Sequence, residues 1–170
     1  MKYEETKFLA MYHKIGGSWR IIKSQDFQIS LILGLTFAVI VGCYNKEILV
    51  IKTICPIFIT LSATMIIVAI AGLAIIVSMS DPTFVKILKE ADVYNNILFF
   101  FRYSTFISCL SIISNIFTYI TPLFLDVFAI LFLLLLISSI LLFYSLFSVI
   151  FLVGTIMRYG LYRGAFITRE

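Results

Sequence analysis

The sequence predicts an all-α integral membrane protein built as a four-helix bundle, and three observations carry this prediction. Hydrophobic residues make up 62% of the 170 residues and charged residues only 13%, whereas about a quarter of a soluble domain is charged. Mean hydropathy is +1.11. The apolar residues also fall into four runs, each able to cross a hydrocarbon core about 30 Å thick. We therefore expect one transmembrane domain over residues 27–157, with spans at about 27–43, 53–80, 97–120 and 127–157.

Residues 1–26 precede the first span and predict a short amphipathic segment on the cytoplasmic membrane surface. Its apolar residues recur at helical spacing before Gly16-Gly17 ends any helix: Phe8, Met11, Tyr12 and Ile15. An unstructured tail is the alternative.

The first span carries a groove of small residues. Ser30, Gly34, Ala38 and Gly42 repeat at intervals of four, a pattern that lets another helix approach closely. The partner helix is either one from the same chain or one from a second copy in a homo-oligomer.

The second span has small residues on more than one face, which is typical of a crowded central helix. Pro56 falls in its predicted first turn, where the missing N–H does little harm. Cys43 and Cys55 would lie near the same membrane face, and the sequence leaves open whether they form a disulfide.

An amphipathic interfacial helix is predicted between spans two and three, over Pro82 to Tyr94. Asp81 followed by Pro82 is a strong signal for a helix start. The apolar residues then fall on one face of that helix: Phe84, Ile87, Leu88 and Ala91.

The third span carries the most informative pattern, a stripe of uncharged polar residues. Its members are spaced 4, 3, 4 and 3 residues apart and form one narrow line on a helix: Ser104, Ser108, Ser111, Asn115 and Thr118. Inside a bilayer such a line must face protein or water. It either hydrogen-bonds neighbouring helices or lines a water-filled pore, and we expect the pore only in an oligomer because one small bundle has no room for it.

The fourth span follows a tight reversal at Thr121-Pro122, so spans three and four form an antiparallel hairpin. It is rich in leucine and phenylalanine, and we expect most of its circumference to face lipid. Residues 158–170 form a basic cytoplasmic tail.

The basic residues predict the orientation of the four spans. Only Lys46 and Lys52 fall on the side opposite the termini. The other eleven fall on the side of both termini and the central loop: Lys2, Lys7, Lys14, Arg20, Lys23, Lys86, Lys89, Arg102, Arg158, Arg163 and Arg169. By the positive-inside rule both termini are cytoplasmic. The net charge of +4 is an orientation signal of this kind, and we expect no nucleic-acid partner.

The chemistry that the sequence lacks excludes several classes of function. No Asp, Glu, Lys, Arg or His lies in the central part of any span, which removes intramembrane aspartyl proteases and carboxylate proton relays. His13 is the only histidine, and the three cysteines have no metal-binding spacing, so neither a metal site nor a cofactor is expected. The sequence predicts a protein that is not an enzyme.

A resemblance adds a functional expectation. The compact four-span plan, the stretch GLAIIVSMSD before an amphipathic loop, and the basic cytoplasmic termini resemble small bacterial four-span membrane effectors of antiphage defence. Holins share the same general look. The resemblance implies depolarisation of the membrane after an infection signal, and it assigns no residue a role. Together with the polar stripe it leads us to expect an oligomeric membrane effector or pore-type protein of the bacterial inner membrane that perturbs permeability. Membrane lipids and further copies of the chain are then the expected partners. The alternative is a structural membrane-anchor subunit that recruits a soluble cytoplasmic protein.

Overall fold

Four long helices make up the bundle in the computed structural model, which describes residues 23–42, 47–78, 93–124 and 127–167. We label them α1 (Gln25–Gly42), α2 (Glu47–Ser78), α3 (Val93–Ile120) and α4 (Phe128–Ile167), with a 3₁₀ turn at Thr121–Leu123 before α4. Each helix contains a stretch long and apolar enough to cross a membrane. The all-α fold class is therefore confirmed. Residues 1–22 of the predicted N-terminal segment and residues 82–92 of the predicted interfacial helix lie outside the described residues. The last two residues of the first segment belong to α1, and the last two of the second belong to α3.

Local sequence explains where the helices begin and turn. At the start of α1, the Phe27 N–H donates to Ser24 Oγ at 3.3 Å, which caps the helix. Between α3 and α4, Pro122 sits in the 3₁₀ turn and the Phe124 N–H donates to the Thr121 carbonyl at 3.0 Å. The chain thus reverses within a few residues.

Pro56 corrects the predicted start of the second helix. The helix begins at Glu47, so Pro56 lies in its interior and not in its first turn. The apolar residues before Pro56 pack as part of the helix, since both Ile51 and Cys55 are buried. Burial of this additional turn outweighs the hydrogen bond that the proline cannot donate.

The core lies between α2, α3 and α4, where most of the buried residues repeat at intervals of 4 and 3 or at their sum. The inner face of α2 presents Ile51, Cys55, Ser62, Met65, Ala69, Gly72 and Ile76. The inner face of α3 presents Ile97, Phe101, Ser104, Ser108, Ser111, Asn115 and Thr118, and that of α4 presents Leu131, Leu135, Ser138, Leu142, Ser145, Leu152 and Tyr159. A repeat that averages 3.5 residues keeps one face of a helix against its neighbours, as in coiled coils.

The central helix of the bundle is α4, which packs against all three other helices, while α1 makes few contacts with α2. The prediction of α2 as the crowded central helix is therefore wrong, as is the prediction of a mostly lipid-facing fourth span. The small residues of α2 divide between two faces. Ala69 and Gly72 point into the core, but Ala71 and Ala74 are exposed.

Two levels of charged residues bound the middle of the bundle. Because α1 runs antiparallel to α4, with Gly34 at Ile140 and Gly42 at Phe132, the same register places Asp26 and Lys23 level with residues 148–151 of α4. On α3, Arg102 lies at the same level, since the Phe100 ring is 5.1 Å from that of Phe151.

Lys52 sets the opposite level. The residue before it, Ile51, packs in one cluster with Leu131 of α4, so Lys52 lies close to the level of Leu131 and Phe132. From Phe132 to Phe151, α4 advances about 28 Å at 1.5 Å per residue. This separation matches the hydrocarbon thickness of a bilayer.

Candidate functional site: a polar seam inside the bundle

The stripe of polar residues on α3 lies in the interior of the single chain. We call these five residues the polar seam: Ser104, Ser108, Ser111, Asn115 and Thr118. All five have 0% of their surface exposed. The seam therefore faces α2 and α4 of its own chain.

Towards α2 the seam makes one direct hydroxyl contact. Ser111 Oγ and Ser62 Oγ are 3.0 Å apart, and either can donate. One turn further along, Asn115 Nδ2 donates to the Ser111 carbonyl at 2.8 Å. A hydrogen bond between two membrane helices, such as that of Ser62 with Ser111, contributes on the order of 0.6 kcal/mol.

Towards α4 the seam ends in a cluster around Thr118. The Thr118 hydroxyl lies 2.9 Å from the Ser114 carbonyl, 3.3 Å from the Leu134 carbonyl and 3.3 Å from Ser138 Oγ. With a single proton it donates to one of these at a time. The contact ties α3 to α4 near the Lys52 level.

Several polar atoms along the interior have no hydrogen-bond partner among the described residues. They are Ser104 Oγ, Ser108 Oγ, Asn115 Oδ1 and Ser139 Oγ, and all are buried. Other hydroxyls on the same helices bond the carbonyl four residues back, as Thr105 does with Phe101 at 2.9 Å. An unpartnered buried group costs about 1–3 kcal/mol, so the interior carries a real free-energy cost here.

A pair of tyrosines lies towards the Arg102 end of the seam. The hydroxyls of Tyr103 on α3 and Tyr144 on α4 are 2.7 Å apart. The Phe27 ring of α1 meets the Tyr144 ring edge-on, with centroids 5.6 Å apart. Through these two contacts Tyr144 joins α1, α3 and α4.

The seam covers most of the thickness between the two charged levels. From Ser104 to Thr118 it extends about 21 Å along the helix axis. Between the levels, the described residues include no Asp, Glu, Lys, Arg or His. The described residues also contain no group of three or more His, Cys, Asp or Glu that could hold a metal ion. The arrangement offers hydrogen bonding without charge.

The small-residue groove of α1 packs on α4 of the same chain. A Cβ on Gly34 would lie 2.6 Å from Ile140 Cγ1 and 2.9 Å from the Ile140 backbone, and one on Gly42 would lie 3.1 Å from Phe132. Ser30 and Ala38 are buried on the same face. Of the two interpretations of this groove, the structure shows the contact within one chain.

Several interior polar residues bond across helices although the sequence analysis did not predict it. Ser62 and Ser138 bond the seam directly, and Ser145 donates to Met65 Sδ of α2 at 3.1 Å. The 3.5-residue repeat of α2 and α4 was the signal that would have found them. Cys55 is buried with a free thiol, and Cys43 lies outside the described residues.

Comparison with known proteins adds no relative. No protein-family model, curated protein or solved structure matches this chain.

Proposed function

We propose that the chain is an integral membrane protein that raises membrane permeability when its polar seam opens to water. Four helices long and apolar enough to span a bilayer support the membrane location. The two charged levels, about 28 Å apart along α4, support it further. The resemblance to antiphage effectors extends the proposal to a bacterial inner membrane with cytoplasmic termini.

One observation carries the pore-type function: the unpartnered interior atoms Ser104 Oγ, Ser108 Oγ and Asn115 Oδ1. A helix that only needs to pack does better with alanine or leucine at these positions, because an unmade buried hydrogen bond is destabilising. Water satisfies such groups at little cost. Hydration therefore favours an open seam far more than it would favour opening an apolar core.

The mechanism follows from the position of the seam. In the closed bundle α2 and α4 cover it completely, so a single closed chain does not conduct. Opening separates α3 from these helices and lines a path with hydroxyls and one amide. We expect an assembly of several copies to surround such a path. Because the path lacks charged side chains, it discriminates poorly between ions.

A second candidate function is a membrane anchor that recruits a soluble cytoplasmic protein. The observation that favours it is the contact of the seam with its neighbours, such as Ser62 with Ser111, which holds the bundle together. On this view the seam never meets water.

Potassium release from proteoliposomes tests the proposal. The double variant Ser104→Ala with Ser108→Ala removes two unpartnered hydroxyls without adding bulk. Its matched control is Thr105→Val, which lies on the same helix but bonds its own backbone. We expect slower release from the double variant and unchanged release from the control. If no condition, including high protein density and an imposed membrane potential, makes wild-type vesicles release potassium, the pore-type function is wrong. The same holds if wild type and the double variant release it equally fast, and the anchor function then gains.

A further inference from the structure

Hydroxyl contacts between α3 and α4 mark both ends of the polar seam. At one end, Thr118 Oγ1 lies 3.3 Å from Ser138 Oγ. At the other end, the hydroxyls of Tyr103 and Tyr144 are 2.7 Å apart. A hydroxyl both donates and accepts hydrogen bonds, so it can take up a proton on one side and pass another on from the opposite side. Both ends of the seam therefore have the chemistry of a proton relay.

Between these ends, the seam keeps unused hydrogen-bonding capacity. Ser104 Oγ, Ser108 Oγ and Asn115 Oδ1 are buried with no partner among the described residues. Ser111 Oγ has a hydroxyl partner in Ser62 Oγ at 3.0 Å. Because a serine hydroxyl donates one hydrogen bond and accepts two, and an amide oxygen accepts two, water can bind along the whole line once it enters.

The spacing of the seam matches water molecules in single file. Steps of four and three residues advance about 6 Å and about 4.5 Å along the helix axis. A water molecule that bonds to both neighbours spans about 5.6 Å, because each O–H···O bond is about 2.8 Å long. One water molecule therefore bridges each step of the seam from Ser104 to Thr118.

The path turns outward beside Ser104. Beyond this residue the bundle axis is closed by Phe101, which is buried in one cluster with Ile97 and Leu152. Tyr103, the neighbour of Ser104 in the chain, is partly exposed. The tyrosine pair therefore lies on the route from the seam to water at this end.

Features with which water pores exclude protons are missing from the described part of the path. Such pores place an arginine, or the N-termini of half-helices, at the path. Between the two charged levels the described residues carry no charged side chain, and α2, α3 and α4 each run through without a break. At the far end, Thr118 lies about one turn before the chain reversal at Thr121–Leu123.

We infer that the polar seam of a single copy conducts protons when α3 moves away from α2 and α4 by the width of one water molecule. A proton binds the first oxygen of the line, that group passes a different proton to the next oxygen, and the last oxygen releases one to water. One O–H bond breaks for each that forms, and rotation of each hydroxyl restores the line. Asn115 Oδ1 holds a water molecule in place by accepting its hydrogen bond.

The inference rests on the proposed function in that water must enter the seam, and it names the species that passes through the narrowest opening. A potassium ion needs several oxygens around it in place of its hydration shell. A hopping proton needs one oxygen on either side. One copy therefore suffices for protons, whereas we expect an assembly for potassium.

Two substitutions of Asn115 test the inference. Asn115→Leu replaces the amide by an apolar side chain of similar size and interrupts the line. Asn115→Ser is the matched control, because it keeps a hydroxyl and room for water. Both variants lose the 2.8 Å bond from Asn115 Nδ2 to the Ser111 carbonyl, so a purely structural role of that bond would affect them equally.

The assay follows an internal pH-sensitive dye in proteoliposomes under an imposed pH gradient. Valinomycin and chosen potassium concentrations set the membrane potential, and photobleaching of labelled protein identifies vesicles that hold one copy. We expect one copy of wild type or of Asn115→Ser to let protons enter faster than in protein-free vesicles. We expect Asn115→Leu to be slower by at least about tenfold, because a hydrogen bond to the moving charge is lost at the barrier.

Wild-type vesicles with one copy that take up protons no faster than protein-free vesicles, at every imposed potential, overturn the inference. It also fails if Asn115→Leu conducts like wild type, or if Asn115→Ser is slowed as much as Asn115→Leu. Potassium release without valinomycin separates the two proposals. Release at high protein density with no proton entry through one copy refutes the single-copy path and leaves the pore-type function standing. Proton entry through one copy with potassium retained at every density refutes the potassium-conducting assembly and supports the proton path.

Discussion

Ser108 and Ser111 lie within one turn of each other on α3 and are both fully buried, yet we expect their replacement by alanine to change stability in opposite directions. Ser108 Oγ has no hydrogen-bond partner among the described residues. Burying an unpartnered hydroxyl costs about 1–3 kcal/mol, and Ser108→Ala removes that hydroxyl. Taking the low end, we expect a gain of about 1 kcal/mol. Ser111 Oγ bonds Ser62 Oγ at 3.0 Å, and its loss leaves the Ser62 hydroxyl unpartnered.

We expect Ser111→Ala to lower the free energy of unfolding by about 1 kcal/mol. The loss combines an interhelical hydrogen bond of about 0.6 kcal/mol with the cost of leaving the Ser62 hydroxyl buried and unpartnered. The two variants then differ by about 2 kcal/mol, or roughly thirtyfold in the unfolding equilibrium constant. The gain in helix propensity from serine to alanine is the same at both positions and cancels in the comparison.

The assay is reversible unfolding in mixed micelles of detergent and SDS, followed by circular dichroism. The double variant Ser62→Ala with Ser111→Ala serves as control, since it removes both partners and restores much of the loss. If Ser108→Ala is destabilised as much as Ser111→Ala, then Ser108 has a partner in the folded protein. The argument from unpartnered hydroxyls, and the proposed function with it, would then fail.

Three further predictions concern the contacts of the bundle. Gly34→Leu should detach α1 from α4, because its Cβ would lie 2.9 Å from the Ile140 backbone. We expect the free energy of unfolding to fall by at least about 2 kcal/mol and α1 to become sensitive to protease. The control Gly160→Leu should leave both properties unchanged. Tyr144→Phe removes the 2.7 Å hydroxyl contact with Tyr103 and should cost about 1 kcal/mol in the same unfolding assay, while an unchanged midpoint would show that the contact contributes nothing. Cysteine placed at Leu161 should react with a membrane-impermeant maleimide and cysteine at Ile137 should not, since Ile137 is exposed on the bundle but lies about 7 Å inside the Lys52 level. Equal labelling would contradict the assigned membrane position.

Much of the fold was predictable because the relevant physics is local. Long apolar runs define the helices, and Pro122 marks the reversal before α4. The 4-3-4-3 spacing from Ser104 to Thr118 predicted one polar line on α3. What the spacing could not reveal is the partner of that line. Packing on neighbouring helices and facing a pore between copies both remove polar groups from lipid equally well.

The identity of the central helix also lay beyond sequence analysis. Leucine and phenylalanine pack equally well against lipid and against protein. The composition of α4 therefore did not show whether this helix is central or peripheral in the bundle. The same holds for glycine. The repeat that contains Gly34 fits a contact within one chain or between copies, and only the position of Ile140 shows that Gly34 admits α4 of its own chain.

The amino-acid sequence by itself determined that this chain is helical, that its helices are suited to lipid, and that uncharged polar residues share one face of α3. It could do so because burial in hydrocarbon constrains each segment separately. Tertiary structure alone decided which helix occupies the centre, which hydroxyls meet and which are left unpartnered. Those outcomes depend on the register between helices far apart in the chain, which no single helix specifies.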